Sequence, residues 1–280
     1  MDFDDRRRIV RSTAFFVVAL LVTAVVSVAA SVAGSSGIAD DTGTDVPTGP
    51  RYVPTAADHA LPTTVAAATG PRVALTFDDG PSPQLTPYVL DVLAAQRVPA
   101  TFFLQGDNVA AHPGLVRRLH AEGHVVANHA WDHPWFPNLS PQEAEIQIER
   151  TNAVLTEITG QRPTLFRYPF GQASPAGDAA LGRLGLTGGV HWKWTSDRPG
   201  DFQCPGADVL VDYVVTEAAD QAMILLHDAG DTVGCPPGQL DYLPRAIDAL
   251  RARGFTFGVV APSPVPSTVN GGSRAAVVPR

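Results

Sequence analysis

The sequence predicts an α/β fold built on a mainly parallel sheet, open or closed into a barrel of about seven strands. Two observations carry that expectation. Short apolar, β-rich runs alternate with helical stretches over roughly 190 residues, the pattern that makes consecutive strands parallel with helices as crossovers. Polar side chains also collect just after the C-terminal ends of five of those runs, the edge where α/β sheets gather their sites. A chain of 280 residues with 45% hydrophobic content can bury one substantial core, not several.

In order along the chain, the first element lies outside that alternation. "RRRIVR" (Arg6 to Arg11) precedes an almost uninterrupted apolar run from Ala14 to Ala33. A basic start, an apolar stretch and small-residue sites such as Ser31-Val32-Ala33 match a secretory signal. A run of about 20 residues is also long enough to span a bilayer as a helix. Residues 1–33 are therefore read as a signal peptide or a membrane anchor, with the arginines left inside and the remainder exported. Arg6-Arg7 loosely resembles a twin-arginine signal, a pattern that Asp5 does not fit. Residues 34–70, rich in Ala, Thr, Asp, Pro and Gly without a period, are expected to be a flexible linker, and residues 263–280 a disordered tail.

The folded region is expected over residues 71–262. Its strands are predicted at Val73–Phe77, Thr101–Leu104, His124–Asn128, Thr164–Arg167, Leu186–Trp194, Ala222–Leu226 and Phe255–Val260. Helices are predicted at Leu85–Gln96, Pro113–Glu122, Pro141–Thr159, Ala176–Leu184, Ala207–Ala219 and Leu240–Arg253. The third helix has the plainest punctuation: Ser140 as N-cap, Pro141 at the first position, Glu143 completing a capping box and Gly160 as the stop.

A formal net charge of -8 excludes the basic footprint of a nucleic-acid-binding protein. The two cysteines, Cys204 and Cys235, are expected to form a disulfide outside the cytoplasm. Closing such a loop stabilises a fold by roughly 3–4 kcal/mol in the chain-entropy account.

The chemistry lies at the strand ends. The first strand runs into Asp78-Asp79 within "RVALTFDDGPSP", and neighbouring strand residues face opposite ways. The third ends in "NHAWDH", whose His129 and His133 have an H-x-x-x-H spacing that suits a metal. The fourth ends in "RYPFG" with Arg167, the fifth is followed by "SDRPGDF" with Asp197 and Asp201, and the sixth ends in "ILLHD" with His227. Each has a plain structural alternative: solvated histidines, a turn carboxylate, a salt-bridge arginine, a core histidine. All five clusters on one sheet edge shift the balance toward a site.

"TFDDGP", "HAWDH", "RYPFG", the Asp-Phe of "DRPGDF" and "ILLHD", in this order, resemble the five motifs of the polysaccharide deacetylases, the NodB-homology carbohydrate esterases. The resemblance covers about Val73 to Val260 and implies a distorted (β/α) barrel, usually short of eight strands. It also implies that Asp79, His129 and His133 hold a divalent metal, zinc above all, with cobalt or nickel fitting the same ligands. By the same resemblance Asp78 is the general base, Arg167 its hydrogen-bond partner, and His227 the general acid paired with Asp201, Asp197 being the alternative partner. The backbone N–H of Phe170 would face the oxyanion and Leu225 would line the pocket for the acetyl methyl.

Three departures from the family pattern carry expectations of their own. Ala130 replaces a Ser or Thr whose hydroxyl steadies the loop, so a looser loop and weaker metal affinity are expected. Phe170 stands in place of Tyr, and Phe202 in place of Trp after a spacer one residue longer than usual. Trp135 is the candidate for stacking on sugar rings, while Trp192 and Trp194 are expected to pack and Asp107 and Asn108 to be structural.

The expected function is an exported, metal-dependent hydrolase that removes N-acetyl groups from peptidoglycan or chitin-type polymers. It would be extracellular or held at the cell surface by an uncleaved N-terminal helix, monomeric, and without a nucleic-acid partner. The alternatives are an ester hydrolase acting on acetylated xylan and a sugar-binding domain without catalysis.

Overall fold

The computed structural model of the chain describes residues 63–66, 70–188, 190, 192 and 198–262. The expectations for residues 1–33, for most of the linker, for the tail, and for Trp194 and Asp197 lie outside the described residues.

The strands are β1 (Thr63–Ala66), β2 (Arg72–Asp78), β3 (Thr101–Leu104), β4 (Val125–Asn128), β5 (Ala222–His227), β6 (Thr256–Phe257) and β7 (Val259–Pro262). The α-helices are α1 (Thr86–Gln96), α2 (Gly106–Ala111), α3 (Pro113–Ala121), α4 (Pro141–Thr159), α5 (Pro175–Leu184), α6 (Ala207–Glu217) and α7 (Tyr242–Ala252).

A parallel sheet runs in the order β4-β3-β2-β5, with β6 also pairing parallel to β2. Parallel bridges from Asn128 to Phe166 and from Leu165 to Thr187 continue it past β4. The predicted strand Thr164–Arg167 is thereby reduced to its two bridging residues. Of the predicted strand Leu186–Trp194, which would carry closure into a barrel, residues 189, 191, 193 and 194 lie outside the described residues.

β2 is central and its residues after Arg72 are all buried, as expected of a strand covered on both faces. One face packs Val73, Leu75, Phe77, Phe102, Leu104, Ile224 and Leu226 against α1, α6 and α7, with the Phe77 and Phe102 rings stacked at 4.9 Å. Ala74, Phe103, Ala127, Leu165, Val190 and Met223 form a second cluster with Val65 and Val260.

Those last two valines correct the expected linker boundary. β1, inside the range read as linker, pairs antiparallel with β7 and sets Val65 opposite Val260. The run "TTVA" holds one large apolar residue, too little to mark a strand by alternation. The single predicted strand Phe255–Val260 is divided at Gly258, where a Cβ would stand 2.2 Å from the Ala66 carbonyl oxygen. Helix α4 forms as predicted: Ser140 Oγ accepts from Glu143 N at 3.3 Å, and the Glu143 carboxylate accepts from Ser140 N at 2.8 Å.

Candidate active site

At the end of β2 the chain turns sharply, with Asp79 at φ 71°. The adjacent carboxylates therefore part company, as the alternation of strand side chains predicts, and a positive φ at Asp79 completes the turn. Asp78 remains in the ladder, in register with His227 of β5 on one side and Phe103 of β3 on the other. Asp78 and His227 are thus neighbours across two parallel strands.

Asp79 faces the histidine loop that follows β4. Its Oδ1 lies 3.4 Å from Nε2 of His129 and 3.4 Å from Nε2 of His133. The three donor atoms lie within 4.8 Å of one another. Nδ1 of His129 is 2.8 Å from the Arg167 carbonyl oxygen, which only accepts, so Nδ1 carries a proton and Nε2 is the ring atom that faces Asp79. Burial holds His133 down to about 4, so its imidazole is neutral. Burial would raise the Asp79 carboxyl, but the imidazoles beside it, His129 first and then His227 and His133, outweigh that effect and push it well below the usual range. Asp79 Oδ1 is nevertheless buried without a hydrogen-bond partner. Its other oxygen lies against Gly230, where a Cβ would come within 2.7 Å. An unpartnered carboxylate oxygen facing two imidazole nitrogens fits a divalent ion, and this donor set suits zinc.

On one flank Asp78 is buried against Arg167. Arg167 Nη1 donates to Asp78 Oδ1 at 2.6 Å and to Thr76 Oγ1 at 2.9 Å, while its Nε donates to the Val190 carbonyl at 3.0 Å. The guanidinium is fully buried and lies 4.0 Å from the Phe103 ring centre. Burial lowers its pKa, and the Asp78 carboxylate opposes that shift. Asp78 Oδ2 lies 3.8 Å from Nε2 of His129 and so faces the ligand cluster.

On the other flank His227 meets Asp201, the expected partner of the two weighed in the sequence. Nδ1 of His227 is 2.7 Å from Asp201 Oδ1, and the His227 backbone N–H donates to Asp201 Oδ2 at 2.6 Å. Burial disfavours charge on this imidazole, but the Asp201 carboxylate outweighs it and raises the pKa to about 10, with Asp79 and Asp78 adding to the effect. The Cys204–Cys235 disulfide, spanning 31 residues, joins the segments that follow Asp201 and His227.

Around the mouth, Phe170 is 49% exposed with φ 56°, and its ring lies 4.3 Å from His133 and 5.5 Å from Trp135. Phe202 covers His227 at 5.5 Å. Leu225 is buried on β5 opposite Thr76. Trp192 packs over Gly171 near Arg167, as expected of a packing residue.

Sequence reasoning assigned no role to three contributors. Asp228, quoted only as the last letter of "ILLHD", is fully buried, and its Oδ2 accepts from Thr86 Oγ1 at 2.5 Å. Burial raises its pKa to about 7, against the Thr86 hydrogen bond and with help from Asp79. Asn128 Oδ1 accepts from Ala130 N, and Gln147 binds the backbone between the histidines. The expected looseness at Ala130 is thus met by other side chains. Asn108, read as structural, donates from Nδ2 to the Asp79 carbonyl at 2.9 Å.

The profile of the polysaccharide deacetylase family matches residues 66–189. The chain is 35% identical over 207 residues to the peptidoglycan-N-acetylglucosamine deacetylase PgdA of Listeria monocytogenes, an alignment covering 74% of this chain and 41% of that protein. The chain thus spans about two fifths of that relative's length. It is 39% identical over 202 residues to a chitooligosaccharide deacetylase of Rhizobium leguminosarum bv. trifolii, covering 66% of this chain and 88% of the relative. Among solved structures, a family 4 carbohydrate esterase from Streptomyces lividans, in complex with acetate, superposes with a TM-score of 0.61 at 32% identity, over 68% of this chain and 93% of the other.

Proposed function

Because the chain belongs to the polysaccharide deacetylase family, we propose that it is an exported, metal-dependent hydrolase of N-acetyl groups on N-acetylglucosamine polymers. Peptidoglycan is the preferred substrate and chitin-type oligomers the second, because an N-terminal apolar segment and spacer would keep the catalytic domain beside the cell wall. The Cys204–Cys235 disulfide supports an extracellular or cell-surface location.

The observation that carries this reading is a carboxylate held by a buried arginine and an imidazole held by a buried carboxylate, arranged on two sides of the Asp79-His129-His133 cluster. Those three residues would hold the ion. When bound, a divalent ion such as zinc supplies an acidified water and polarises the acetyl carbonyl. Asp78, with Oδ1 held by Arg167, uses Oδ2 to take the proton from the attacking water. The N–H of Phe170 donates to the oxygen that gains charge. His227, with Nδ1 engaged by Asp201, delivers a proton from Nε2 to the departing amine, without which the C–N bond would release a very basic amide anion. Leu225 bounds the methyl pocket, and Trp135 with Phe170 offers aromatic faces to the sugar.

The experiment is acetate release from intact peptidoglycan, N-acetylglucosamine oligomers and acetylated xylan, each with and without chelator. Chelator-sensitive release from an amide substrate is the expected result. Release from xylan alone would assign an ester hydrolase, and saccharide binding without release from any substrate would assign a binding domain.

A further inference from the structure

Both imidazoles of the ligand cluster sit on one short segment, and two of its residues, Ala130 at φ 65° and His133 at φ 57°, adopt the left-handed conformation that L residues populate sparsely. Such a segment keeps its shape only where its surroundings hold it. Ala130 has no side chain with which to do so. On one side, the backbone N–H groups of Gly106 and Asp107, at the start of α2, donate to the Ala130 and Trp131 carbonyls at 2.9 and 3.0 Å. On the other side stand two residues of α4: Arg150, whose guanidinium lies 3.5 Å over the Trp131 ring, and Gln147, which alone of the two bonds the loop backbone. Gln147 Oε1 accepts from the Trp131 N–H at 2.9 Å and the Asp132 N–H at 3.3 Å, and its Nε2 donates to Asp132 Oδ1 at 2.8 Å. Those are the two residues midway between the histidines.

We propose that Gln147 is the positioning residue of the metal centre: its carboxamide fixes the Trp131–Asp132 backbone so that His133 Nε2 converges with His129 Nε2 on one point. The Gln147 side chain hydrogen-bonds none of the ligand residues and acts through the loop. Asn128 secures the start of the same loop, but its Nδ2 also bonds Ile148 O and Asn152 Oδ1 inside the core, so its loss would mix loop and core effects. Gln147 is half-buried, and its side-chain bonds go only to the loop, which makes it the cleaner handle. The inference rests on the metal reading given above.

The test is zinc affinity of the full chain, measured by competition with a fluorescent chelator, alongside thermal unfolding of the metal-free protein. Gln147→Met, which keeps length and removes all three bonds, is expected to weaken zinc binding about 10-fold, the low end of the cost of losing a residue bonded directly to a ligand. Gln147→Glu keeps the acceptor for both N–H groups but sets a second carboxylate oxygen against Asp132 Oδ1, so its affinity should fall as well. Gln142→Ala, exposed on the same helix, should bind zinc as the unaltered chain does. At saturating zinc, acetate release by Gln147→Met should return to within a few-fold of the unaltered protein, which separates positioning from chemistry. Affinity within twofold of the unaltered chain in Gln147→Met would overturn the proposal, as would a lower melting temperature with zinc affinity unchanged. Should Gln147→Met not fold, the same twofold criterion applies to Gln147→Glu. Failure of the unaltered chain to bind zinc would instead overturn the metal reading, and this proposal with it.

Discussion

Asp78 and His227 face each other across adjacent parallel strands, each fixed by one buried partner. Asp78→Asn keeps the shape and the contact with Thr76-bound Arg167 while removing the proposed base, so acetate release should fall about 10²- to 10⁴-fold. Zinc content should be retained, because Asp79, His129 and His133 are untouched; activity indifferent to the change would mean that another group takes the proton. Asp201→Asn acts on the other flank. His227 has its pKa raised from 6.5 to about 10 against a burial effect that lowers it, with the Asp201 carboxylate as the largest opposing cause. The protonated imidazole therefore persists up to about pH 10 in the intact protein, and the high-pH limb of the rate profile belongs there. Removing the carboxylate should move that limb downward, toward or below the ordinary imidazole range, and lower activity at pH 7; a limb that stays in place would assign the proton donor elsewhere. The same pair links pH to stability. A raised folded-state pKa contributes stability that is fully present below about 6.5 and is lost as pH climbs toward about 10.

Among the elements, α4 and the β1–β7 pair mark the two limits of what a sequence discloses. The start and stop of α4 are local chemistry, Ser140, Pro141, Glu143 and Gly160, and each appears in its expected role. Ser140→Ala removes one half of the capping box and should cost about 1 kcal/mol, read as a lower melting temperature with the fold retained. β1 carries no such signal, because four residues with one valine become a strand only where β7 offers a partner. The six-residue α2 was likewise invisible to periodicity, although its first residues touch both the Asp79 turn and the histidine loop. The site divides the same way. Asp78, Asp79, His129, His133 and His227 were legible because each ends or follows a strand of the one parallel sheet, whereas Arg167 and Asp201 were legible through the motifs that resemble the family's. Gln147 and Asp228 were not, since a glutamine within a helix or a carboxyl behind a histidine gains its meaning only from what the fold brings beside it.

For the molecule as a whole, the consequence is that the candidate metal site and the core are separable. The ligands lie in the loops beyond β2 and β4, whereas the sheet is held by Leu75, Phe77, Phe102, Leu104, Ile224 and Leu226 against α1, α6 and α7. Nothing in that apolar cluster depends on an ion, so removing the metal should leave the circular-dichroism spectrum of the helices and sheet in place while abolishing acetate release. Stability should nonetheless respond to zinc by mass action, because the unfolded chain scatters Asp79, His129 and His133 and binds the ion poorly. At a zinc concentration 100-fold above the dissociation constant the gain is about 2.7 kcal/mol. In a folded unit of this size that corresponds to a rise of about 5–10 °C in melting temperature. His133→Ala should flatten the response, and Asp78→Asn should preserve it. A melting temperature indifferent to zinc in the unaltered chain would mean that these three side chains, close as they are, do not share an ion, and the hydrolytic reading would then lose its source of activated water.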